Sequence, residues 1–198
     1  MRRWLSCIPI LIMVSLLTIL TAMPFRHAAH AAELDGVQVP DALQVNGKTL
    51  YLNGFGLRTY SIFDVHIYVA SLYLEHLSAS PDEIIGSPET KLLTVRFEHN
   101  ISADRARNAW RENFEKNCVA PCQLDPNDVE RFLSEVPAMH EGDRFYLLFT
   151  QNGAAVTVNG QQIGTFSKRD FAEVMLATFI GPKANLPKLR QELLRGHG

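Results

Sequence analysis

A single arginine, Arg58, stands in a stretch that is otherwise almost without charge, residues 50–75, LYLNGFGLRTYSIFDVHIYVASLYLE. Gly54 and Gly56 precede it, and they open backbone conformations that other residues rarely take. Val65, Ile67, Tyr68, Val69, Leu72, Tyr73 and Leu74 follow, the β-branched, aromatic and aliphatic run of a long buried strand. Alternation along such a strand places His66, Tyr68, Ala70 and Leu72 on one side, with Val65, Ile67, Val69 and Tyr73 on the other. A guanidinium beside a buried strand needs an anionic partner, because an unpaired interior charge is costly. The partner is either a carboxylate of the same chain, in a structural ion pair, or a ligand anion. A ligand carboxylate or phenolate would match the planar fork of arginine. Spacing alone leaves both open and favours the ion pair.

Two cysteines offer a different chemistry. Cys118 and Cys122 are four apart, with Pro121 between them. In an oxidising compartment such a close pair closes a small loop as a structural disulfide. A redox-active pair is more often spaced by two residues at a helix start. His66, His76, His99, His140 and His197 are scattered without ligand spacing, so no metal is expected. No phosphate-binding loop, dinucleotide fingerprint, nucleophile elbow or catalytic carboxylate pair is present, and no cofactor is expected.

The N-terminus carries Arg2 and Arg3, an apolar segment at residues 8–20, and small-residue cleavage patterns ending at Ala31 or Ala32. That is the pattern of a secretory signal peptide, assigned to residues 1–32. Export, to a periplasm in a bacterial setting, is expected, with no membrane span once the segment is removed. Residues 33–198 remain, the size of one domain with a real core. The leader takes three of the 19 basic residues and no acid, leaving 16 basic against 21 acidic and a formal charge of −5. Nucleic acid and anionic membrane surfaces both demand basic patches and are excluded as partners.

The elements that must position Arg58 follow from pattern and punctuation. Strands are expected at residues 37–39 and 43–52, with Asn46-Gly47 turning a hairpin inside the second run. Further strands are expected at 91–97, 145–149, 154–158 and 161–165, the last two joined by Asn159-Gly160. Helices are expected from Ser80 through Ile85, from Ser102 to about Asn117, and over 126–136, 168–180 and 186–195. Asn100-Ile101-Ser102 matches a glycosylation sequon, but Ser102 reads as a helix cap. Strands joined by tight turns, with helices between and after them, describe an antiparallel α+β domain.

Gly54-Phe55-Gly56-Leu57-Arg58 and Leu72-Tyr73-Leu74-Glu75 together resemble the core of the chalcone isomerase family. The likeness continues through the strand, turn and long helix from Val95 to Asn113. It extends to Val174-Met175-Leu176-Ala177-Thr178-Phe179-Ile180-Gly181, which is similar to the end of a family helix. The resemblance implies a chalcone isomerase-like fold, a curved antiparallel sheet covered by a layer of helices.

The plant enzymes of that family close a phenolate onto a conjugated ketone without a cofactor. Arginine holds the phenolate near the alkene carbon, and hydrogen-bond donors stabilise the enolate oxygen. By this resemblance Arg58, Asn113 and Thr178 match the catalytic arginine, asparagine and threonine. Tyr68 stands where the plant strand has its catalytic threonine, and Ala106 where the helix has a water-ordering tyrosine. Noncatalytic members of the family hold a fatty acid with arginine and a strand tyrosine, and Arg58 with Tyr68 resembles that clamp more. The function expected is therefore an exported protein binding a small amphiphilic ligand, fatty acid or polyphenol-like, in an Arg58-centred cleft. Ligand-binding residues are Arg58, Tyr68, Asn113 and Thr178. The alternatives are an intramolecular lyase of the chalcone isomerase type and a structural member without ligand.

Overall fold

Asn46-Gly47 and Asn159-Gly160 take positive φ at all four residues, 51° and 78°, then 49° and 83°. This is the mirror-image turn whose twist suits a two-residue hairpin. In a computed structural model, which describes residues 31–60 and 64–196, nine strands and five helices follow from such punctuation. The strands are β1 (Ala31–Leu34), β2 (Val37–Pro40), β3 (Ala42–Val45), β4 (Lys48–Tyr60), β5 (Val65–Leu74), β6 (Lys91–Phe97), β7 (Arg144–Thr150), β8 (Gly153–Val158) and β9 (Gln161–Phe166). The helices are α1 (Pro81–Gly86), α2 (Ala103–Asn117), α3 (Pro126–Glu135), α4 (Arg169–Ile180) and α5 (Pro187–Leu193). Strands β3 to β9 form one curled, fully antiparallel seven-stranded sheet in sequence order. The fold is α+β, as the turn and strand pattern requires. Most of the leader assignment, Cys7 included, falls on residues 1–30 and lies outside the described residues. His197 does too.

Two apolar layers follow from alternation along β5. Tyr68, Ala70, Leu72 and Leu74 face the helices, in a core with Leu93, Leu147, Phe132, Phe171 and Met175. Val69 and Tyr73 face the other way and pack with Leu50, Leu52 and Leu92 beneath Val39 of the β1–β2 hairpin. Strand β1 was not anticipated. The expected alternation also fails at the start of β5. Arg58 pairs with Tyr68 and Thr59 with His66, so Ile67 is an extra, bulged residue. The bulge brings Ile67 to the side of Tyr68, and His66 turns the other way to meet Asp35 at 2.6 Å.

Helix signals perform as written. Ser80 accepts from the Glu83 amide and Ser102 from the Arg105 amide, each at 3.3 Å. Cys118 and Cys122 form the expected disulfide just past α2. Closing so short a loop contributes about 2 kcal/mol on chain entropy. Helix α5 is shorter than the span 186–195 expected from its charge pattern.

The largest departure is β4, which runs unbroken for 13 residues through Gly54 and Gly56. Neither glycine has positive φ. Their lack of a side chain serves close approach instead. A Cβ on Gly54 would lie 2.1 Å from the Glu192 carbonyl oxygen and 2.6 Å from that of Leu193, so the end of α5 rests on bare strand. Fully buried Asn53 beside it donates to the Leu193 carbonyl and accepts from the Ser78 amide, both at 2.9 Å. Gly54→Ala should therefore cost on the order of 2–3 kcal/mol in denaturant unfolding. Gly86→Ala, which meets nothing within 4 Å, should stay within about 0.5 kcal/mol. Equal effects of the two would contradict the contact.

At the far end of β5, Glu75 joins three strands. Its carboxylate accepts from Lys48 Nζ at 2.6 Å and from the Thr90 amide at 2.5 Å. Lys48 first, then Thr90, lower its pKa from 4.5 to about 2. A carboxyl depressed by folding stabilises above its unfolded pKa, and the gain is lost as pH falls through the folded one. The stability difference between wild type and Glu75→Gln should be constant above about pH 5 and shrink between 4.5 and 2. Denaturant titrations across that window test it, and a pH-independent difference would refute it.

Candidate functional site

The bulge in β5 and the facing helices leave a cavity of about 210 Å³ between the sheet and α2 and α4. Its walls are mostly apolar. Ile67, Val95, Phe97 and Phe145 come from the sheet, Ala106, Ala109 and Trp110 from α2, and Phe179 from α4. Trp110 anchors an aromatic cluster, with Phe132 at 5.0 Å, Phe114 at 5.5 Å and Phe179 at 5.8 Å between ring centroids. Such rings fix a wall rigidly, because edge-to-face contacts add to their burial.

Arg58, Tyr68, Asn113 and Thr178 all line this cavity. Their polar atoms are not equally available. Asn113 Nδ2 donates to the Ala109 carbonyl at 2.8 Å, and its Oδ1 accepts from Asn185 Nδ2 at 2.6 Å. The Thr178 hydroxyl donates to the Met175 carbonyl at 2.8 Å, the back-bond a helical threonine commonly makes. Ala106 supplies no donor.

Arg58 and Tyr68 are placed differently. They face each other across the β4–β5 ladder, and the Arg58 guanidinium carbon stands 5.4 Å from the Tyr68 ring centroid. Tyr68 is 7% exposed and packs edge-on against Phe97 at 5.7 Å. Burial raises the Tyr68 pKa, and the charge and hydrogen bonding of Arg58 only partly offset it, so the phenol stays neutral. Arg58 Nε is buried and has no hydrogen-bond partner among the described residues. No ion pair among them includes Arg58. An orphaned interior donor costs about 1–3 kcal/mol.

Sequence reasoning missed Arg105 and Asn185, both of which line the cavity. Helical periodicity would have found the first. Once Asn113 is placed in the site, positions one and two turns back put Arg105, Ala106 and Ala109 on the same face. Asn185 sits in the α4–α5 connection, where no periodicity applies. Among the described residues no group of three or more His, Cys, Asp or Glu is placed to hold a metal ion. No described helix is long and apolar enough to cross a membrane.

A curled antiparallel sheet with an apolar cavity under its helices defines a class of small α+β proteins. The chain belongs to the chalcone isomerase-like family, whose sequence pattern matches residues 31–195. It is similar in fold to the crystal structure of an Arabidopsis thaliana fatty-acid binding protein, with a TM-score of 0.68 over 84% of this chain and 96% of that one. Sequence identity between the two is 16%, so the likeness is one of fold. No curated protein matches the chain.

That no described carboxylate lies within ion-pair distance of Arg58 carries a consequence for stability. Arg58→Ala strands no buried acid, and chemical denaturation should show a change within about 1 kcal/mol, or a small gain. Loss of a partner from a buried ion pair would cost about 3–5 kcal/mol, and a drop of that size would return Arg58 to a structural role.

Proposed function

We propose that this protein binds a small amphiphilic acid, fatty acid or polyphenol-like, in a cleft centred on Arg58, and that it does so as an exported protein, in a periplasm. The observation that carries the reading is the buried Arg58 Nε, without a hydrogen-bond partner among the described residues, at a cavity whose walls are mostly apolar. A ligand carboxylate would take the guanidinium fork and accept from the neutral Tyr68 hydroxyl, two charge-assisted bonds in a poorly hydrated site. The hydrocarbon part would lie along Trp110, Phe97 and Ile67. The similar Arabidopsis thaliana structure, a fatty-acid binding protein, supports this ligand class.

A second reading, an intramolecular lyase acting on chalcone-like phenols, rests on Asn113 and Thr178 reaching the same cavity. Against it, the Thr178 hydroxyl hydrogen and one Asn113 amide hydrogen are already bonded to helix carbonyls, and Ala106 donates nothing. An enolate would find few donors there.

Native mass spectrometry of gently purified protein, followed by titration with dodecanoate, tests the binding reading. A co-purifying or added fatty acid should bind one to one. Arg58→Ala should weaken it by about 2–4 kcal/mol, the range for removing one partner of a desolvated charge pair. A ligand-free protein that cyclises chalcone would instead establish the lyase. Binding of neither kind would sink the proposal.

A further inference from the structure

The cavity has a second guanidinium that the carboxylate clamp does not use. Arg105, in the first turn of α2, lines the same space as Arg58. Its guanidinium carbon lies 5.4 Å from the centroid of the Tyr60 ring. Tyr60 is two residues along β4 from Arg58, so both project from the same strand face, about 7 Å apart at Cα. The two arginines therefore gather at one end of the cavity. Neither takes part in an ion pair among the described residues. Arg105 and Tyr60 are both exposed at the rim, where a cation–π contact is weak because water competes for the cation. The acid that lines the cavity, Glu112, is two helical turns further along α2, about 10 Å away, and discourages an anion at that end.

A monocarboxylate has two oxygens, and Arg58 with Tyr68 satisfies both. It leaves Arg105 with nothing to do. We propose that Arg105 is a second head-group residue, and that the ligand is a single-chain amphiphile whose head group carries two negative charges, a monoalkyl phosphate in chemical class. The inference rests on the ligand-binding reading and narrows it. A phosphate monoester presents three terminal oxygens and a charge of roughly −1.5 to −2 at neutral pH. Arg58 and Tyr68 take the inner oxygens. Arg105 exchanges the face of Tyr60 for the outer one, closing the rim over the head group. Arginine forks suit phosphate oxygens in this two-sided way better than a point charge does.

Calorimetric titration of the full chain with dodecyl phosphate and with dodecanoate, both below their micelle concentrations, tests this directly. At pH 8 dodecyl phosphate should bind about tenfold more tightly, as one added charge-assisted contact predicts. The preference should shrink toward equality near pH 5.5, where the phosphate loses its second charge. Arg105→Ala should abolish the preference while changing dodecanoate affinity less than about threefold, and Arg105→Lys should restore part of it. Thermal unfolding of the ligand-free variants should match wild type, since Arg105 is exposed. Equal affinities for the two probes at pH 8 would overturn the inference and leave the carboxylate reading standing. So would an Arg105→Ala variant that loses both ligands alike. Binding of neither probe would overturn both.

Discussion

The contact between α5 and the bare backbone of β4 is the constraint on which the cavity depends. With Gly54 in place, the last carbonyls of α5 lie against a strand too close for any side chain, and Asn53 fastens them. That contact fixes two things at once. It holds the strand that carries Arg58, and it sets the α4–α5 connection, which brings Asn185 and Leu186 to the cavity lip. A helix standing one methyl group further out would shift both walls. The small residues here are therefore spacers in a packing problem, not hinges.

Around that frame the protein commits nearly all of its internal polar groups to itself. Asn113 is bonded on both amide ends, Thr178 bonds back into its helix, and Glu75 is shared between Lys48 and the Thr90 amide. Even buried Lys91 is answered by two backbone carbonyls, those of Ser87 and Glu89. Against this habit two buried atoms lack a hydrogen-bond partner among the described residues, Asn117 Oδ1 and Arg58 Nε, and only the second belongs to a charged group. Folding alone gives no reason to keep a cation there, because an apolar residue would fill the wall at lower cost. A ligand anion gives one.

How far the sequence reached depended on whether a feature is local. Turns at Asn46-Gly47 and Asn159-Gly160, caps at Ser80 and Ser102, and the Cys118–Cys122 bridge are decided within a few residues, and each was read correctly. The fold class followed from their order. Three features are decided by partners far along the chain, and these were misread or missed. Gly54 reads as a source of backbone freedom until α5, some 140 residues later, is seen resting on it. The bulge at Ile67 is a property of two strands in register, so alternation along one of them misplaces His66 and Ile67. Arg105 was hidden differently. Its helix was foreseen and its charge alone says nothing of cavity or solvent, but helical spacing back from Asn113 would have placed it on the cavity face.

The order of the strands in the sheet is their order in the sequence, so each ladder from β3 to β9 closes between neighbours joined by short or helical connections. Pairings between sequence neighbours are more local than ladders between distant strands would be. The α5–β4 contact is the opposite case, since it joins the last described helix to one of the first strands. During N-to-C synthesis the sheet can assemble while Gly54 is still uncovered. Gly54 and Asn53 accordingly stay in water through that interval and are covered only when the final helix docks. The fully buried Asn53 amide is thus desolvated late, after the ladder that flanks it already exists.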